Sequence, residues 1–341
     1  MPDNNLEMLK DFSRWLKNKN IKSNLKPNSL NDLEALSKTA ILDLTKNKLR
    51  ELPESIGALK NLTILKLSNN RLKTLPKSIE NLKKLKNLQC ENNLLEELPE
   101  EIGSLESLLI LNLNGNHLTS LPDSFYNLKK LTRLTIAVNN IENISDNFKN
   151  LSKLLYLSLD TNHLSELPEV FGAMESLYYL DLSYNQLTSL PESLSEIEEL
   201  ETLILEGNDI NHLPSLESHD MLIKLNLNEN NLTKLDFDVS KLEDLQLLSL
   251  DNNHLEFLPD EVCNLHKLNY LSVSNNNLKE LPECIGNLQN LKELDLEENK
   301  LEKLPASFEN LKSLRNLYLD NNSENIKKPD IESLEFCDLE D

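Results

Sequence analysis

Leucine recurs along this chain with a beat that neither a lone helix nor a lone strand would produce. In residues 177–199 apolar side chains fill the first, fourth, sixth and eleventh positions (Leu177, Leu180, Leu182, Leu187), asparagine fills the ninth (Asn185), and Leu190-Pro191 follows. The frame recurs along most of the chain. Its ninth-position asparagine runs from Asn47 and Asn70 through to Asn322, thirteen in all, at steps of twenty-three residues except the twenty-two between Asn208 and Asn230. Positions three to seven alternate polar and apolar, the period-two signature of a half-buried strand. No single unit can bury its leucines alone, so the pattern predicts that neighbouring units stack their strands in parallel around one shared core. The asparagine sits where the chain leaves the strand, and its amide can serve backbone groups that the turn strands inside the stack. The Leu-Pro pair opens an outer arc, where a fixed φ begins a short extended or single-turn segment.

With these positions in view, the chain resembles the leucine-rich repeat proteins. It is most similar to the twenty-three-residue class with Leu-Pro-x-x-Ile on the outer side, as in Leu52-Pro53 with Ile56 and Leu98-Pro99 with Ile102. The resemblance covers about residues 25 to 322. It implies an α/β leucine-rich repeat solenoid, a curved horseshoe with parallel strands on the concave face. It leaves function open, because such repeats serve many partners.

Both ends depart from the frame. Leu6, Leu9, Phe12, Trp15 and Leu16 stand at helical spacing in residues 4 to 18, with Asp3 or Asn4 available as a cap, which predicts an amphipathic N-terminal capping helix over the open end of the core. Leu25, Pro27, Leu30, Leu33 and Leu36 match the outer half of a repeat that lacks its strand. The expected organisation is residues 1–38 as capping helix and half repeat, 39–322 as the solenoid, and 323–341 as an acidic C-terminal cap or tail. Within the solenoid the Leu-Pro pair is replaced by Ile144-Ser145 and Leu235-Asp236, and the short unit carries Pro214 followed by Glu217-Ser218-His219-Asp220.

Charge narrows the partners. With 57 acidic and 35 basic residues, the formal net charge is −22. Nucleic acid and anionic membranes are attracted by basic excess, so neither is an expected partner, and a basic or amphipathic protein is favoured. Cys90 takes a core position, while Cys263, Cys284 and Cys337 have spacings unrelated to a zinc site or a cysteine-rich cap, which points to a reducing compartment. No signal segment or membrane span is evident, so the expected location is cytoplasmic, with export into a host cell by a non-classical route as the alternative. A monomer is expected.

The sequence offers little for catalysis. His117 and His163 recur in the turn two repeats apart, roughly 10 Å at normal strand spacing, too far to share a metal ion. No phosphate-binding glycine loop is present, and neither a cofactor nor an enzymatic role is expected. Binding has better support. Positions three, five and seven should face the concave side, and there ten acids oppose only Lys66, Arg133 and Lys224. Arg133, Tyr156 and Tyr179 occupy position three of consecutive repeats and should form a row, flanked by Asp160, Asp181, Tyr184 and Glu206. Exposed tyrosine and arginine bury large area at small entropic cost, which makes these seven the candidate protein-binding residues. The alternative function is that of a bacterial secreted effector or surface protein that binds a host protein through the same face.

Overall fold

Each repeat folds as its hydrophobic beat dictates. In the computed structural model, which describes residues 2–19, 21–25 and 32–339, a three-residue strand forms around the fourth-position leucine of every unit. Leu65, Leu88 and Leu294 are fully buried at these centres, and their strand neighbours are half-exposed. The outer arcs close as short 3₁₀ turns such as Glu54–Ala58 and Lys77–Asn81, each entered from an extended proline. Where that proline is missing, a side chain takes over the turn: Ser145 Oγ accepts from the Asn147 N–H at 3.2 Å, and an Asp238 carboxylate oxygen accepts from Ser240 N–H at 3.0 Å.

The chain packs as two units, Met1–His163 and Leu164–Asp341. In the first, strands β1 (Ile41–Asp43), β2 (Ile64–Lys66), β3 (Asn87–Gln89), β4 (Ile110–Asn112), β5 (Arg133–Thr135) and β6 (Tyr156–Ser158) pair in parallel, in chain order and in repeat register. Helix α1 (Pro2–Asn18) and the short α2 (Leu33–Ser37) precede them. The helix begins earlier than its apolar spacing suggested, so Asn4 lies inside the first turn and is not its cap, while the Asp3 side chain lies outside what is described. Leu9, Phe12 and Leu16 bury one face of α1, which packs on α2 and on the 3₁₀ turn at Glu54–Ala58. Lys26, Pro27 and Leu30 of the expected half repeat lie outside the described residues. The open edge of β1 is met by a side chain: Asn24 donates its amide to the Ile41 carbonyl at 3.0 Å and accepts the Asp43 N–H at 2.8 Å.

In the second unit β7 (Tyr179–Asp181), β8 (Thr202–Ile204), β9 (Lys224–Asn226), β10 (Leu247–Ser249), β11 (Tyr270–Ser272), β12 (Glu293–Asp295) and β13 (Asn316–Tyr318) repeat the arrangement. The acidic C-terminal segment adds β14 (Phe336–Cys337), parallel to β13, and the Asp338 carboxylate accepts the Leu319 and Asp320 N–H groups at 2.8 and 2.9 Å.

The asparagine column is structural. The Asn116 carbonyl oxygen accepts the Leu95 N–H at 3.0 Å, and its amide reaches the Cys90 and Leu113 carbonyls at 3.1 and 2.9 Å. Each such residue ties its own repeat to the preceding one. The residue before the asparagine takes the left-handed conformation in repeat after repeat, from Lys46 (φ 59°) and Asn69 (φ 58°) to Glu298 (φ 52°). Val138 does so at φ 55° with half of its surface exposed, although a β-branched side chain clashes there, at a cost of roughly 1–2 kcal/mol.

One sequence expectation needs revision, and one position gains a role that the spacing did not reveal. Cys263 and Cys284 are joined by a disulfide, with Cα atoms 5.8 Å apart, so their spacing was not an idle one and the argument for a reducing compartment is withdrawn. The short unit also hides a substitution. His219 stands five residues after Pro214 where complete repeats place an aliphatic side chain six after the proline, as with Leu59 after Pro53 and Ile197 after Pro191, and it is fully buried in that column. Its Nδ1 and Nε2 lie 3.2 Å from the Leu216 and Leu194 carbonyls, and a neutral ring can donate to only one of them.

Burial holds the His219 pKa below its ordinary value of 6.5, against the opposing pull of the two carbonyls. The unfolded ring therefore takes a proton more readily than the folded one. Stability from this site is complete above the unfolded value and is lost as the pH falls from there toward the folded value. Urea unfolding at pH 7 and pH 5 should show a smaller acid loss for His219→Leu than for wild type. Equal losses in the two proteins would mean that the ring titrates without consequence.

Candidate protein-binding face

Strand register decides which candidate side chains meet. In the first unit Arg133 on β5 pairs directly with Tyr156 on β6, and the Arg133 guanidinium carbon lies 3.6 Å from the centre of the Tyr156 ring. A planar cation stacked on an aromatic face at this distance is held without losing its outward hydrogen-bonding capacity. Asp160 turns toward its own loop, accepting from Ser158 Oγ at 2.6 Å and Thr161 Oγ1 at 3.5 Å.

The second unit holds the other four. Tyr179 pairs in register with Thr202, and its hydroxyl donates to Asp181 at 3.2 Å. The other Asp181 oxygen accepts the Ser183 N–H and Oγ at 3.0 and 2.6 Å, which fixes the turn after β7. Tyr184 occupies the left-handed position, φ 51°, and lies over Gly207, where a Cβ would come within 2.5 Å of the ring. From there its hydroxyl donates to Glu206 at 2.6 Å, and Asn226 donates to the second Glu206 oxygen at 2.8 Å. The Glu206 hydrogen bond, with burial adding to it, pushes the Tyr184 hydroxyl up to about 12. Gly207 and Asn226 were not among the expected residues. The glycine gave a signal in principle, since it stands in a column where most repeats carry a side chain.

The acid excess is unevenly divided. On the inner strand positions the first unit has Asp43, Glu91 and Asp160 against Lys66 and Arg133, whereas the second has Asp181, Glu206, Asp251, Glu293, Asp295, Glu297 and Asp320 against Lys224 alone. In the latter group the crowding of carboxylates adds to the effect of burial. Burial together with Asp251, Asp338 and Glu293 raises the Asp295 pKa, and burial with Asp295, Asp338 and Asp320 raises that of Glu297. Tyr318 beside them is raised by burial and the same carboxylates, and its ring packs 5.3 Å from that of Phe336, whose side chain is about half exposed. Among the described residues no group of histidine, cysteine or carboxylate side chains is arranged to hold a metal ion, and no helix is long and apolar enough to cross a membrane.

Leucine-rich repeat models match residues 10–95 and 260–337, 83–164 in two overlapping stretches, 167–210 and 244–265. A solved leucine-rich repeat protein of Leptospira interrogans is 34% identical, with 87% of each chain covered and a TM-score of 0.73. The chain is a leucine-rich repeat protein. The repeat region is also similar to the Arabidopsis receptor kinase HAESA, solved in complex with the peptide hormone IDA and the co-receptor SERK1, at 26% identity, 80% of this chain and a TM-score of 0.69. This leucine-rich repeat chain spans about half of that receptor, 48%. An internalin of Listeria monocytogenes shares the fold, with 20% identity, 90% and 89% coverage and a TM-score of 0.65. A comparison with curated proteins returned no match. Members of the leucine-rich repeat family serve as protein interaction scaffolds, and the relatives include a receptor with its ligand bound.

Proposed function

We propose that this protein is a non-enzymatic interaction scaffold that binds a basic or amphipathic protein partner on its strand face. The contacts would be Arg133, Tyr156 and Asp160 on the first unit and Tyr179, Asp181, Tyr184 and Glu206 on the second. The observation that carries the reading is the crowding of carboxylates on β10 to β13, where burial and, after it, the repulsion of neighbouring carboxylates make Asp295 and Glu297 harder to ionise than isolated groups. A lysine- or arginine-bearing surface would relieve that repulsion, adding affinity and fast, salt-sensitive association. The tyrosines supply anchors that orient the partner. A second reading is a bacterial secreted effector or surface protein that binds a host protein through the same face; the match to a protein of the bacterium Leptospira interrogans over most of both chains supports its bacterial part.

The test compares wild type with a Tyr156→Ala, Tyr179→Ala, Glu206→Lys variant whose circular dichroism is unchanged, as baits for capture and then for titration of the captured protein. The variant should bind at least tenfold more weakly, and wild-type affinity should fall as salt rises from 50 to 300 mM. A partner held equally by both baits, at all salt concentrations, would move the binding site away from the strand face.

A further inference from the structure

On the outer arc, a small-residue contact recurs between neighbouring repeats. Gly57, Gly103 and Gly286 each stand four residues after a Leu-Pro proline, and each faces a serine twenty-one residues on, two after the next proline: Ser78, Ser124 and Ser307. The approach is close. A Cβ added to Gly57 would lie 2.7 Å from the Ser78 Cβ, and one added to Gly103 would lie 2.8 Å from the Ser124 Cβ. At one step of the second unit, both partners are replaced, with Cys263 in the glycine position and Cys284 in the serine position, again twenty-one residues apart. Replacing only one would have set a thiol against a small neighbour. Replacing both brings the Cα atoms to 5.8 Å, within the range that a disulfide spans without backbone movement.

The local backbone accommodates the pair. The 3₁₀ turn holding Cys263 is complete, Asp260–Asn264, but the next is reduced to Ile285–Asn287, with Cys284 outside it as the residue before the turn. Cys263 is buried, and Cys284 is half-exposed. One thiol can thus be reached from solvent while its partner waits beneath it.

We propose that Cys263 and Cys284 form a redox latch between two repeats, closed in an oxidising compartment by exchange with a small-molecule disulfide and opened by a dithiol reductant. The Cys284 thiolate attacks one sulfur of the donor, the donor S–S bond breaks, and the first donor thiolate leaves. The Cys263 thiolate then attacks the Cys284 sulfur, and the second donor thiolate leaves. Two cysteine thiols are oxidised by two electrons, one donor disulfide is reduced to two thiols, and the two cysteine protons pass to those thiols. Closure ties the arc before β11 to the arc before β12, the strands that carry Tyr270, Glu293 and Asp295 of the acidic face. Cys90 takes no part, since it is fully buried and burial raises its thiol pKa far above the ordinary range. Cys337 remains the control thiol.

The test exposes the reduced, folded protein to oxidised glutathione, quenches with acid, alkylates in denaturant and maps the peptides. A Cys263–Cys284 crosslink with Cys90 and Cys337 alkylated is expected. Four alkylated cysteines, a persistent glutathione adduct on Cys284, or a bridge to Cys337 would overturn the assignment. A Cys263→Ser, Cys284→Ser variant, which keeps small side chains at both positions, separates the latch from mere packing. Cleavage by a broad-specificity protease within residues 259–290 should speed at least tenfold when wild type is reduced and should be unaffected by reductant in the variant, whereas equal responses would show that the bond holds nothing. Acid-quenched protein recovered from its own cells should carry the crosslinked peptide; finding those two cysteines fully alkylated there would refute the oxidising compartment. None of these readouts depends on the proposed partner.

Discussion

Replacing Asn253 with alanine lowers the stability of the second unit by about 3–4 kcal/mol, a large loss for a side chain with no apolar surface to bury. Asn253 is 3% exposed. Its carbonyl oxygen accepts the Leu232 N–H at 3.0 Å, and its amide donates to the Leu227 and Leu250 carbonyls at 2.9 and 3.1 Å. Alanine leaves the Leu232 N–H wholly orphaned in a dry interior, at about 1–3 kcal/mol, removes one bond from each carbonyl, and opens a small cavity beside them. Asn322 makes equivalent bonds to Leu301, Leu296 and Leu319, but it is only part-buried, so water can replace part of what Asn322→Ala removes, and about half the loss is expected. Urea unfolding followed by circular dichroism gives both values, and hydrogen exchange should locate the first at the Leu232 amide. A loss below 1 kcal/mol for Asn253→Ala would show that the turn finds other partners for its backbone.

Phe12→Ala comes close behind, at about 3–4 kcal/mol, the usual cost of deleting a fully buried ring. Phe12 is 0% exposed and stacks on Trp15 with ring centres 5.7 Å apart. In a repeat stack the effect should stay local, because each unit gains stability chiefly from its neighbours. Amides of β1 and β2 should exchange faster in this variant while those of β5 and β6 stay protected. Uniform loss of protection across the first unit would mean that α1 supports more than the first repeats.

Most of the architecture could be read from spacing because the physical demand is itself periodic. A leucine must return to the core at every fourth and sixth position, and a turn must feed its stranded amide and carbonyls at every ninth. The eighth position escaped notice for the opposite reason. Its demand is a left-handed backbone, yet the chain meets it with Lys46, Asn92, Val138, Tyr184 and Glu229, which share no chemistry. That omission also hid the Tyr184–Glu206 bond, since only a left-handed Tyr184 lies over Gly207 and reaches the next repeat. The disulfide was obscured by arithmetic. Contacts between strands fall at twenty-three residues, but the outer arcs meet with an offset, so Cys263 and Cys284 touch at twenty-one. The Asp338 carboxylate, just after β14, acts through the Leu319 and Asp320 N–H groups that follow β13, and no repeat spacing extends as far as Asp338.

The side chain laid against β1 carries a further consequence. A bare strand edge is a template, and in a molecule made of near-identical units the next unit to dock on it could belong to a second molecule, then a third, giving a filament with no natural end. Asn24 occupies the Ile41 carbonyl and the Asp43 N–H, the same groups an incoming strand would need. One amide side chain therefore makes self-templated growth from this edge compete with a seal already in place.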